Sequence, residues 1–345
     1  MTGLWTAVAA ILIFCILIFV HELGHFLAAK SLGVRVHEFA IGMGPKIYGK
    51  QKGETLYSVR LFPIGGFCAL EGEDKSSEDD KALSNKPAWV KLIITVAGAF
   101  MNVLLGLLLL FLLYGSIQSV VVPEVATVAP GSMAEQAGMM PEDTIIRFNG
   151  KVINTVRDLY WEKDQWMEGD AHVVVKRAGE KINLTLSPDE QAEQNTLGIT
   201  LQAKENNLWL TVKNGFCDTA FYGKVILSSF VDLIRGKIAF SSMSGPVGIV
   251  SEIGSAVEAT AQNGWAGFMN LLQLTILLTI NLGVFNLLPI PALDGGRIFF
   301  ILVEMIRRKP LPPEKEGMVH FVGFALLILL SIVIAYMDVL KLFVK

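Results

Sequence analysis

Four stretches of the chain are predominantly apolar, at about 4–29, 90–117, 267–290 and 318–342. At about 1.5 Å rise per residue, each is long enough to cross a hydrocarbon core of about 30 Å, so the pattern predicts four transmembrane helices. The long segment between the second and third is more polar, and its apolar positions alternate. His172-Val-Val-Val-Lys-Arg and Lys181-Ile-Asn-Leu-Thr-Leu read as strands there, and Asn149-Gly150 between β-type runs reads as a hairpin turn, which predicts a small α+β unit. Beyond it Phe221, Tyr222, Val225, Ile226, Phe230, Leu233 and Ile234 recur at helical spacing, with Lys224, Asp232, Arg235 and Lys237 between them. That helix suits either the membrane surface or packing on the preceding unit. Between the first two spans, Glu38-Phe-Ala-Ile-Gly-Met-Gly-Pro45 and Leu61-Phe-Pro-Ile-Gly-Gly-Phe67 are β-rich and punctuated by glycine, as in a hairpin.

Composition reinforces the membrane reading. Hydrophobic residues make up 52% and charged residues 18% of the 345, and mean hydropathy is +0.50, so the lipid bilayer is the expected solvent. A net charge of −3 with no Lys/Arg block excludes a nucleic-acid partner. Met1 to Trp5 holds no Lys or Arg and no small-residue cleavage site follows the first apolar run, so a retained helix is expected there and not a signal peptide. Cys15, Cys68 and Cys217 are too few and too scattered for a disulfide framework or a cysteine metal site. Lys and Arg crowd the loops between spans one and two (Lys30, Arg35, Lys46 and Lys50 among them) and between spans three and four (Arg297, Arg307, Arg308, Lys309). The excess of positive charge on cytoplasmic loops then puts the N-terminus, the polar unit and the C-terminus on the outer side.

Candidate chemistry lies inside the first span. His21-Glu22-Leu23-Gly24-His25 sets two imidazoles four residues apart on one helical face, where both can reach one metal ion, and leaves Glu22 beside it. Three ionisable groups in an apolar helix cost several kcal/mol unless paired or ligated, so a merely structural role is a poor explanation. Counted back from Lys30, the motif lies about 8 to 14 Å inside the helix end, within the membrane and nearer the cytoplasm. A catalytic zinc site has three protein ligands and an open position. Asp294 is the leading candidate for the third, because it closes a run in which Pro289 and Pro291 break an apolar helix, and free backbone at membrane depth must be buried or line a wet cavity. His320, at the start of the fourth span, is a rival ligand that reads more simply as interfacial; His37 and His172 stand in polar surroundings. Asn281 and Asn286 are amides that can hold an extended strand or an oxyanion, or simply bond between helices.

HELGH in the first span together with Asn286-Leu-Leu-Pro-Ile-Pro-Ala-Leu-Asp-Gly-Gly296 after a later one resembles the site-2 protease family of intramembrane zinc metalloproteases (peptidase family M50), in its bacterial RseP-type branch with one PDZ domain. Pro130-Gly-Ser-Met-Ala-Glu-Gln-Ala-Gly138 leading to Asp143-Thr-Ile-Ile-Arg-Phe-Asn-Gly150 resembles a PDZ domain, and Ser244-Gly-Pro-Val-Gly-Ile249 matches a further family signature. The resemblance implies one Zn2+ held by His21, His25 and Asp294, with Glu22 as general base, in the cytoplasmic (inner) membrane of a bacterium. It implies a membrane-associated β-hairpin whose edge strand pairs with an unwound substrate, with Gly65, Gly66, Phe67, Asn281, Asn286, Pro289 and Pro291 at the substrate. Substrates are then single-span membrane proteins, anti-sigma factors or remnant signal peptides, already cut once outside the membrane. The PDZ domain either binds a peptide end or filters substrates by size.

The expected architecture is a polytopic α-helical membrane protein with one inserted extracytoplasmic α+β domain. Residues 1–120 would form two spans with HExxH and the hairpin, 121–203 the PDZ domain, 204–262 an amphipathic interfacial segment, and 263–345 the last two spans.

Overall fold

The computed structural model describes every residue except Met1, Asp74, Ser76, 167–168, 188–195, 240–242, 310–312 and 344–345, and of Thr2, Ile64, 313–315 and 342–343 the backbone alone. Two compact units emerge: residues 1–109 with 222–345, and residues 110–221.

The first unit opens with α1 (Thr2–Ser31), followed by β1 (Val36–Lys52) and β2 (Thr55–Leu70), and then α2 (Ala88–Gly115) begins just after Pro87, where a missing backbone donor costs nothing. β1 and β2 form an antiparallel hairpin that folds back on itself, so Phe39 has Cys68 on one side and Tyr57 on the other. Gly42 and Gly44, at φ 84° and 83°, supply the bend that a residue with a Cβ would resist. Residues 66–70 pair only with the start of β1, which leaves their other edge open among the described residues. The root of the hairpin is a buried cluster in which Val34, Val36, Phe39 and Cys68 meet Ala29 of α1 and Val90 and Ile94 of α2. Its far end exposes Ile47, Tyr48 and Phe62.

The second unit holds β3 (Ser119–Val128), α3 (Met133–Gln136), β4 (Thr144–Phe148), β5 (Lys151–Val152), α4 (Val156–Asp164), β6 (Ala171–Arg177), β7 (Glu180–Leu186) and β8 (Ile199–Glu205). The sheet order is β7-β6-β4-β3-β8, with β5 on β4. Alternate residues of these strands close over Ile145, Phe148, Leu159, Trp166 and Leu186, as the sequence alternation requires. α5 (Leu208–Ile234) starts in this unit, where its buried Asp218 accepts from Tyr114 Oη at 2.5 Å and Arg157 Nε at 2.8 Å. One carboxylate thus ties the last turn of α2 to α4 and α5, a charge-assisted arrangement stronger than neutral bonding.

The chain returns to the first unit through α6 (Pro246–Asn263), α7 (Trp265–Leu287), α8 (Asp294–Arg307) and α9 (Pro313–Phe343). Four helices among the described residues are long and apolar enough to cross a membrane: Gly3–Ser31, Ala88–Gly115, Trp265–Leu287 and Glu316–Lys341. The expected interfacial segment resolves into two helices, and the second is not superficial. Ile253 of α6 is fully buried against Ala10, Ile13 and Leu17 of α1, with Leu271, Leu274 and Leu278 of α7 packed around them. The sequence concealed this because α6 carries Glu252 and Glu258 on its other faces, so its apolar stripe read as surface-seeking.

Candidate metal centre

His21 and His25 project from one face of α1, and α2 crosses that face at small residues. A Cβ at Gly24 would fall on the carbonyl of Ala97, and one at Gly98 would fall on His25 Nε2 and the His21 ring. Close helix approach at glycine is common in membranes, and here it leaves room around two imidazoles. His25 Nδ1 donates to the Ile94 carbonyl at 2.8 Å, which turns the Nε2 lone pair inward. His21 Nδ1 lies 3.3 Å from the buried amide of Asn102. With Asn102 Oδ1 facing the ring, His21 Nδ1 donates to it, Oδ1 gains the partner it otherwise lacks, and His21 Nε2 is free to ligate. Thr279 Oγ1 donates to the Asn102 carbonyl at 3.0 Å and anchors that stretch to α7.

The third group arrives from the break between α7 and α8. The helix stops at Leu287 ahead of Pro289 and Pro291, Ala292 takes φ 75°, and Asp294 is the first residue of α8. A non-glycine residue in that region stores about 1–3 kcal/mol of strain, which surrounding contacts must hold. Asp294 Oδ2 lies 3.1 Å from His21 Nε2 and 3.2 Å from His25 Nε2, and the two Nε2 atoms are 3.2 Å apart. Tetrahedral ligands at about 2.0–2.1 Å from zinc stand about 3.3 Å from one another, so the three atoms fit one ion. Two imidazole nitrogens and a carboxylate oxygen are a hydrolytic zinc site's donor set, and this is a group of three that could hold a metal among the described residues.

A cavity of about 800 Å³ opens onto this cluster, lined by His21, Glu22, His25, Asp294, Phe67 and neighbours on the 68–73 run. The open-edged part of β2 passes beside Glu22: a Cβ at Gly66 would lie 3.8 Å from its Cγ. Of the residues expected at the substrate, Phe67 lines the cavity, and Gly65 and Gly66 are buried just behind it. Asn281, Asn286, Pro289 and Pro291 are not among its lining residues; Asn286 is buried in α7, and the prolines shape the turn before Asp294. His320, the rival ligand, lies outside the cluster; its Nδ1 accepts from the Ala292 N–H of the turn instead. Asn102 was missed by the sequence reading, although a lone amide inside an apolar span was a signal for it.

Four candidate spans and a three-donor cluster between them define the class: an integral membrane protein with a hydrolytic type of metal site. Comparison with known proteins takes this further. The profile of peptidase family M50 matches residues 9–330. The chain is 36% identical over 335 residues to a provisionally named zinc metalloprotease of Clostridium acetobutylicum, covering 96% of each chain. It is 31% identical over 425 residues to the regulator of sigma-W protease RasP of Bacillus subtilis, covering 98% of this chain and 99% of that one. A zinc metalloprotease RasP of Oceanobacillus iheyensis matches at 31% over 429 residues, with the same coverage. The chain belongs to peptidase family M50 and is a zinc metalloprotease.

Proposed function

We propose that this protein cuts single-span membrane proteins within their transmembrane segments, with one zinc ion held by His21, His25 and Asp294. The observation that carries the proposal is the convergence of those three donor atoms, each pair 3.1 to 3.2 Å apart, on helices apolar enough to span a bilayer. When bound, zinc lowers the pKa of a coordinated water to about 7 and polarises a carbonyl. Glu22, one residue after the first ligand and facing the cavity, takes the proton of the attacking water and delivers it to the leaving amine. Asn102 and the Ile94 carbonyl hold the two imidazoles in the ligating tautomer.

A helical substrate protects its own peptide bonds with intrachain hydrogen bonds, so it must unwind before it is cut. The open edge at residues 66–70, beside Glu22, supplies backbone partners for the unwound segment by strand addition. The hairpin with its exposed Ile47, Tyr48 and Phe62 sits in the membrane interface. Residues 121–203 form a PDZ domain on the outer side, and the ligand cluster lies nearer the cytoplasm, in agreement with the distribution of Lys and Arg. The name of the Bacillus relative ties that protein to sigma-W regulation, which supports anti-sigma factors, shortened by an earlier outer cut, as the substrate class here.

The ligand assignment is tested by Asp294→Ala in the purified protein. Zinc content is expected to fall from one equivalent to near zero with loss of cleavage; full zinc retention would assign the third ligand elsewhere, as in membrane peptidases that use a glutamate.

A further inference from the structure

We propose that His320 is a positioning residue for the metal centre: from α9 it holds the turn that presents Asp294. The inference rests on Asp294 being a zinc ligand.

The turn is only partly self-supporting, through the Leu293 N–H donating to the Ile290 carbonyl at 3.2 Å. Ala292 sits at φ 75°, a conformation that glycine or asparagine adopts easily and alanine does not, so its own sequence does not favour it. A second contact, on the strained residue itself, comes from another helix. The Ala292 N–H donates to His320 Nδ1 at 3.0 Å across 28 residues, which uses the lone pair of that nitrogen. The same ring reaches the other side of the ligand, because a Cβ at Gly296 would lie 3.1 Å from His320 Cε1. His320 therefore touches the chain two residues before Asp294 and two residues after it. Phe300 of α8 backs the ring, with centroids 5.8 Å apart.

One turn further along α9, Gly323 completes the seat. A Cβ there would come within 3.0 Å of the carbonyl carbon and oxygen of Pro291, so the bare backbone of α9 receives the proline. An interfacial histidine would turn its ring to water, whereas the His320 side chain is 17% exposed. The body of α8 is held independently, by Lys91 with Glu304 at 3.0 Å and by Arg297 with Glu73. Loss of His320 then releases the turn, and with it the Asp294 carboxylate, while α8 stays docked.

The experiment compares the full-length protein with His320→Leu, His320→Asn and Gly323→Ala, reading zinc affinity by chelator competition and unfolding temperature in excess chelator. Leucine fills the space without an acceptor, and asparagine keeps an acceptor near the position of Nδ1. His320→Leu is expected to weaken zinc roughly tenfold, in the range of other supporting-shell losses. Its zinc-free unfolding temperature should stay within a few degrees of wild type, His320→Asn should recover most of the affinity, and Gly323→Ala should mimic the leucine variant. Wild-type zinc affinity in His320→Leu would overturn the proposal, as would equal defects in Leu and Asn variants that unfold earlier without zinc. If His21→Ala also keeps its zinc, the ligand assignment itself has failed; if His21→Ala loses zinc and His320→Leu keeps it, only the positioning role has.

Discussion

At the residue scale the site is a contrast between local and distant information. His21, Glu22 and His25 were legible because four residues make about one helical turn, so spacing alone puts both imidazoles on a face. Asn102 was not, since its partner lies 81 residues away and only the approach of α2 at Gly98 brings the two together. Asn102→Leu should keep the span apolar yet leave His21 free to rotate. Zinc affinity is expected to drop about 10- to 100-fold, read by chelator competition, with little change in zinc-free stability. An unchanged affinity would mean that packing, and not the amide, orients the ring. Asp294 stood between these cases. Its acidic character at a proline break was visible in the sequence, but the strained alanine beside it was not.

Among the elements, the β-hairpin and the sheet of the second unit show what alternation can and cannot convey. Glycine-rich β runs announced a hairpin, yet nothing in them specified that β1 folds back to place Phe39 between Cys68 and Tyr57. That arrangement depends on Arg60, which binds both Glu38 oxygens at 2.7 and 2.9 Å, donates to the Gly44 carbonyl at 2.8 Å and covers the Phe67 ring. Arg60→Ala leaves the Glu38 carboxylate with the Ser58 hydroxyl as its remaining side-chain donor, at a cost of about 1–3 kcal/mol. The expected result is a raised KM for a membrane-embedded substrate with zinc content intact; loss of zinc instead would show that the hairpin also supports the metal. In the second unit, burial pushes Asp143 up, but the Arg177 guanidinium and the Met140 N–H outweigh it and hold the carboxyl below its usual range. A carboxyl depressed on folding stabilises the fold above its unfolded pKa of about 3.9, and that contribution fades as pH falls through the lower folded value. Hydrogen exchange of the β4 and β6 amides in the full-length protein should therefore accelerate below about pH 4. Asp143→Asn should remove that dependence, and an identical acid response in the variant would assign it to other groups.

For the whole molecule, four long apolar runs were enough to predict four spans, because a bilayer admits few solutions to the backbone's hydrogen-bonding demand. The packing of α6 against α1 was beyond that logic, since Ile253 is one apolar position in a helix whose charges read as surface. The consequence for function is that α1, the helix of both histidines, is flanked by α2, α6 and the hairpin, so the ligands sit in protein and not in lipid. On the proposed mechanism such a site hydrolyses peptide bonds inside the membrane with Glu22 as base. The most direct test is cleavage of a single-span reporter, shortened on its outer side, by wild type and Glu22→Gln purified in the same detergent, with zinc content measured and the cut located by mass spectrometry. Wild type is predicted to cut within the span while Glu22→Gln retains zinc and cuts at least about 100-fold more slowly. Equal cleavage by the two proteins, or a cut outside the span, would contradict it.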